Sequence, residues 1–311
     1  MANGIRAPFP YFGGKALIAA AIWARLGAIF NFIEPFFGSG AILFARPGFW
    51  SGYETVNDRD GLLTNFWRAT RYEPGLVARI ACDLVNEVDL VARARLLCET
   101  RPLVASLMAD PHYYDPKLAG WWLYGQVYAI ARYSIDPRAR AYMPRARRII
   151  SLEEMIARLE ALRERLQYVR ILCGDWSRLV NSKTNINRGG WTGFVFDPPY
   201  SLDTERASGL YANDDARNDV AVDVRRRAIE LAELPLTRVV LCGYFAEHDA
   251  YIPENWERLR WHARGGFASL GKGGGRQRAT QETVWFSPKC VEAREEESRP
   301  LTNDASSSEA A

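Results

Sequence analysis

The tetrapeptide Asp197-Pro198-Pro199-Tyr200 closes the apolar run at residues 193–196 and brings together three groups that rarely meet by accident. They are a carboxylate, a backbone carbonyl held away from any ladder, and a flat aromatic face. Proline fixes φ, carries no N–H and keeps the residue before it extended, so the cup they form is pre-shaped. A planar heterocycle with an exocyclic amine fits such a cup. Its ring stacks on Tyr200 while its two amine protons are donated to Asp197 and to the Pro198 carbonyl. Adenine and cytosine carry a group of that kind. An Asp-Pro step also opens ordinary turns, so the tetrapeptide needs company before it means more.

Two upstream segments supply it. Phe32-Ile33-Glu34-Pro35-Phe36-Phe37-Gly38-Ser39-Gly40 runs from an apolar strand into a glycine turn and then a short helix over 41–45. Gly38 and Gly40 let backbone approach a bound nucleoside, and the helix start favours a carboxylate. Residues 53–58 read as a second strand ending in Asp58, where nucleotide-binding α/β folds place the acid that bonds ribose hydroxyls. Asp58 equally suits a turn acid ahead of the helix that follows. The dinucleotide pattern G-x-G-x-x-G is not met, because position 43 is Leu, so one nucleoside-like cofactor fits better than a nicotinamide dinucleotide.

With these motifs in view, the chain resembles the D12-class, Dam-like DNA adenine-N6 methyltransferases. The resemblance is carried by Tyr11-Phe12-Gly13-Gly14-Lys15, by Ile33 to Gly40, by Asp58 and by Asp197 to Tyr200, in the order of the family's α group. It spans roughly residues 8–288, densely at the motifs and thinly between them. It implies a Rossmann-like S-adenosylmethionine-dependent sheet with a helical target-recognition insert, and double-stranded DNA as partner. It also implies base flipping into the Tyr200 cup and, in some settings, a cognate restriction endonuclease. By the same resemblance Tyr11 and Lys15 touch the cofactor's methionine end or its adenine. Glu34 fixes the turn or meets the methionine amino group, Asp58 holds the ribose, Asp175 approaches the adenine, and Asp197, Pro198 and Tyr200 are catalytic. Related readings are transfer to cytosine N4, transfer to adenine in RNA, or a DNA-binding protein with a vestigial cofactor fold. One departure stands out: Leu241-Cys242-Gly243-Tyr244 replaces the Ser- or Thr-Asn pair frequent in relatives.

Composition is compatible without being decisive. Forty basic and 37 acidic side chains give a net charge of +3, too small to argue for nucleic acid alone. The distribution says more. Arg132, Arg138, Arg140, Arg145, Arg147 and Arg148 crowd one short stretch; the last five belong to a proline-flanked loop without matching acids, suited to phosphates and base edges or else a solvated surface loop. A second basic loop, residues 265–278, carries six glycines with Lys272, Arg276 and Arg278, and serves equally as DNA contact or linker. Five cysteines without a C-x-x-C pair read as reduced thiols, and three histidines lack metal-ligand spacing. No apolar run reaches membrane-spanning length and no secretory leader is recognised, so a cytoplasmic, nucleoid-associated protein is expected.

The elements that must position these groups form a split α/β catalytic domain. Residues 1–74 carry the cofactor motifs, 75–166 the helical insert, 167–290 the Asp-Pro-Pro-Tyr motif, and 291–311 an acidic tail expected to be disordered. Helices are expected over 14–26, 61–70, 85–99, 116–133, 152–166 and 220–233, with Ser151 and Glu154 as a capping box. Strands are expected over 30–34, 53–58, 168–173, 193–196, 237–242, 256–263 and 283–286, the last two as an antiparallel edge pair. Trp121, Trp122, Tyr124 and Tyr128 have a spacing that fits core better than ligand contact. Residues 202–218 read as a lid over the cup.

Overall fold

Near-continuous apolar runs along short central strands dictate a sheet buried on both faces. In the computed structural model this sheet has seven strands: β1 Asn31–Glu34, β2 Tyr53–Asp58, β3 Val169–Cys173, β4 Thr192–Phe196, β5 Thr237–Tyr244, β6 Glu257–Arg260 and β7 Glu282–Phe286. The structure describes residues 5–9, 14–48, 51–110, 112–129, 150–182, 186, 189–199, 220–261 and 282–291. The strand order is β3-β2-β1-β4-β5-β7-β6. All pairings are parallel except those of β7, which runs antiparallel to both β5 and β6.

Successive residues divide between two cores. Phe32, Val56, Val195, Val240, Val284 and Phe286 join one cluster, while Ile33, Phe194, Phe196, Val239, Leu241 and Trp285 join the other. This period of two, with both faces apolar, is what a mostly parallel sheet covered by helices requires. Each fully buried ring or branched chain contributes about 1.5–3 kcal/mol.

Helices α1 Ala19–Leu26, α2 Ala41–Phe44 and α3 Gly61–Tyr72 accompany the first two strands. Four more, α4 Pro74–Ala81, α5 Glu87–Leu107, α6 Pro116–Tyr128 and α7 Leu152–Leu166, intervene before β3, and α8 Ser177–Val180 follows it. Helix Val220–Glu233 packs on β5 from the second core. No helix among the described residues is long and apolar enough to cross a membrane.

Several boundaries differ from those the residue pattern predicts, each for a physical reason. Residues 16–18 form a turn, so the first helix begins only at Ala19. Pro74 separates α3 from the next helix and is itself the first-turn residue of α4. Helix α5 passes through Pro102 instead of ending near Glu99. Beyond the proline it is held from outside: Val104 and Met108 are buried, and Ala105 backbone presses on Gly61, where an added Cβ would lie 2.8 Å from Ala105 Cα. Tertiary packing here outweighs the lost helix bond. Ser151 caps α7 by accepting the Glu154 amide at 3.1 Å, whereas the Glu154 side chain pairs with Arg158 at 2.6 Å instead of closing the box. Trp122, Tyr124 and Tyr128 are buried, in keeping with their core spacing.

Candidate active site

A sheet whose strand order reverses leaves a crevice at the carboxyl ends of the two strands flanking the reversal. Here those strands are β1 and β4, and the register Asn31↔Thr192, Phe32↔Gly193, Ile33↔Phe194 sets Glu34 and Asp197 at the same end of the sheet. The parallel partner β2 places Val56 beside Glu34, so Asp58 emerges next to them. Two motifs more than 150 residues apart in sequence thereby open onto one crevice.

The glycine turn after β1 is rigidly built. Gly38 and Gly40 have φ of 49° and 68°, in the left-handed region that favours glycine. A Cβ on Gly40 would come within 2.6 Å of Phe44 and 2.7 Å of Phe37. The Gly38 carbonyl accepts from Trp67 Nε1 at 3.2 Å, and its amide donates to Asp58 Oδ2 at 3.0 Å. Asp58 Oδ1 accepts the Asp60 amide at 2.9 Å, and it is Asp60 that caps α3 by accepting from Leu62. Asp60 thus caps the helix, while Asp58 holds the turn before it and is also tied across to the glycine turn. Burial pushes the Asp58 carboxyl from 3.8 up to about 6, against the opposing pull of those amides.

Glu34 lies on the floor. It is 3% exposed, and its Oε2 has no hydrogen-bond partner. Burial, then the charges of Asp197, Glu54 and Asp58, push its carboxyl well above the usual range, and only the Leu43 amide opposes them. Asp197 is raised by burial and held down by Lys15, whose Nζ sits 2.9 Å from Asp197 Oδ1. Lys15 is 2% exposed and its ammonium also lies 3.6 Å from Glu282 Oε2.

The structure therefore brings Lys15, Glu34, Gly38, Gly40, Asp58 and Asp197 to one end of the sheet, with Pro198 buried beside them. Asp175 behaves differently. It is exposed and accepts from the Ser177 amide at 2.9 Å and the Ser177 hydroxyl at 2.5 Å, capping the turn into α8. Tyr11, Tyr200, Arg138, Arg140, Arg145, Arg147, Arg148, Lys272 and Arg276 lie outside the described residues, as do the expected lid, the basic loop and the acidic tail beyond Val291.

Three contributors escaped the residue pattern. Asn57 Nδ2 donates to the carbonyls of Pro35 and Gly174, both at 3.0 Å, pinning the loops after β1 and β3 together. Phe36 and Trp176 face one another with centroids 6.1 Å apart across the same loops. Glu282 opens β7 and is 6% exposed. An amide or a charge at the end of an apolar strand was the available signal for Asn57 and Glu282. The Leu241–Tyr244 stretch is a tightly packed wall, with Cys242 fully buried and its thiol pushed well up by burial. Among the described residues no three His, Cys, Asp or Glu side chains gather as a metal site would require. Searches with the whole sequence find no matching protein-family model and no matching curated protein.

Proposed function

We propose that the protein is a site-specific DNA adenine-N6 methyltransferase using S-adenosylmethionine, built on a Rossmann-like methyltransferase sheet with a helical target-recognition insert. The observation that carries this reading is the convergence of Asp197 with the Glu34–Gly40 turn and Asp58 at the strand-order reversal. A nucleoside-type cofactor and an amine-binding carboxylate need that shared crevice. Double-stranded DNA is the partner in this reading, with a cognate endonuclease as a further one.

The residues present fit the cofactor. Gly40 sits where any Cβ would collide with Phe37 and Phe44, which keeps the turn backbone bare for a ligand's approach. Glu34 offers a buried oxygen awaiting a donor, as an amino group would supply. Asp58 would hold ribose hydroxyls while keeping Gly38 in place. When bound, the cofactor supplies an electrophilic methyl group on a sulfonium. Asp175, exposed and committed to its own turn, gives less support to an adenine contact.

The chain's own residues prepare the nucleophile. An adenine amine is weakly nucleophilic because its lone pair is delocalised into the ring. Asp197 and the Pro198 carbonyl accept its two N–H bonds and draw the nitrogen toward tetrahedral geometry, freeing that pair. The proton that nitrogen sheds passes to an Asp197 carboxylate oxygen, which burial disposes to accept it. Tyr200 stacks on the flipped base. Transfer of a tritiated methyl group to duplex DNA, followed by nucleoside analysis, tests the reading. N6-methyladenine is expected; N4-methylcytosine would change the target, and no labelled nucleoside would overturn the assignment.

A further inference from the structure

Lys15, near the start of the chain, presents an ammonium shared by two acids from its later half. Asp197 follows β4, whose Phe196 pairs with Leu241 on β5, while Tyr244 at the end of β5 pairs with Glu282. Because β7 runs antiparallel, its first residue stands at the carboxyl end of the parallel strands, on the same side of the crevice as Asp197. The two carboxylates approach one Nζ at 2.9 and 3.6 Å.

In the reading above, on which this inference rests, a target amine must donate to Asp197. The Lys15 ammonium competes for that carboxylate, and a buried ammonium displaced from its partner is costly unless another acid takes it. We propose that Glu282 is a positioning residue that receives the Lys15 ammonium when the target amine claims Asp197, so that one lysine passes between two carboxylates as the site fills. No covalent bond changes in this exchange. The charge is conserved within the crevice. Glu34 from β1 and the Cys242 thiol from β5 are the other titratable groups coupled to this cluster, and burial disfavours the charged form of each.

The test is a titration of carboxyl resonances in protein labelled with 13C at Asp and Glu side chains, alongside kinetics. In Glu282→Gln, loss of the neighbouring negative charge should move the Asp197 midpoint to lower pH. With the ammonium then held on Asp197, kcat should fall roughly 10- to 100-fold while KM for the cofactor stays near wild type. Glu282→Asp should restore part of kcat. An Asp197 midpoint unmoved in folded Glu282→Gln overturns the proposal. Should that variant fail to fold, Lys15→Met gives the second arm. Both Asp197 and Glu282 should then move upward together, and movement of Asp197 alone overturns the sharing. Coupled midpoints in a protein that transfers no methyl group would retain the shared ammonium and sink the methyltransferase reading instead.

Discussion

The Gly38 amide donates to Asp58 Oδ2 at 3.0 Å, so the turn after one strand and the acid ending its neighbour form a single rigid unit. That bond gives Asp58 two duties, positioning the turn and presenting an oxygen to a ligand. Asp58→Asn removes the charge presented to a ligand; its amide oxygen can still accept from Gly38, with its NH2 turned toward the Asp60 amide. We expect a folded protein whose affinity for S-adenosylmethionine drops by about 1.5–3 kcal/mol, the usual worth of a hydrogen bond to a charged group. Isothermal titration checks it, and unchanged affinity would leave Asp58 a turn residue only.

The same carboxyl predicts two opposite pH dependences. Its folded pKa, about 6, lies above its ordinary 3.8, so between those values the native state binds more protons than the unfolded chain. This group's contribution is fully present below pH 3.8 and is lost as pH rises through about 6 in ligand-free protein. Ribose hydroxyls prefer the carboxylate, so cofactor affinity should weaken as pH falls below about 6, approaching roughly tenfold per unit. Denaturation midpoints and binding isotherms across pH 4–8, compared with Asp58→Asn, resolve the two trends.

Asp197→Asn should lower kcat for methyl transfer at least about a hundredfold, the scale seen when one preorganised hydrogen-bonding group is lost. Binding to duplex DNA should persist, since phosphate contacts are expected from elsewhere in the chain. Rapid-quench transfer assays paired with gel-shift measurements separate the two effects, and near-normal turnover would remove Asp197 from the chemistry.

Replacing Arg145, Arg147 and Arg148 together with Ala should weaken DNA binding and flatten its salt dependence. Each lost phosphate contact removes nearly one unit of log–log slope. A wild-type slope would shift attention to Lys272 and Arg276.

Glu54 is wholly buried on β2 and bonded by Arg165 at 2.6 and 2.8 Å and by Arg46 at 2.7 Å. Glu54→Gln leaves two guanidinium groups without their counter-charge. We expect a loss of about 3–5 kcal/mol, read from urea denaturation.

The alternating strands, the antiparallel last pair and helix Val220–Glu233 were legible because periodicity and turn residues are local signals. The course of α5 through Pro102 was not, because its cause is Gly61, 41 positions earlier and across an interface. The site divides in the same way. Asp197, Gly40 and Asp58 announce themselves through neighbours in sequence. Glu282 does not, because its partner Lys15 is 267 positions away and only the reversed direction of β7 joins them. Asp175 illustrates the converse: its local turn accounts for the bonds made by one of its oxygens.

The Arg165–Glu54 contact also bears on how the helical segment before β3 can be exchanged. Arg165 lies in the last turn of α7, yet its guanidinium sits on the sheet's second strand and also donates to the Leu43 carbonyl of α2. Excising residues 75–166 would take this arginine with it and remove one of the two guanidinium groups bonded to Glu54. A graft in this region should therefore keep α7 with the sheet and exchange only the chain between α6 and α7.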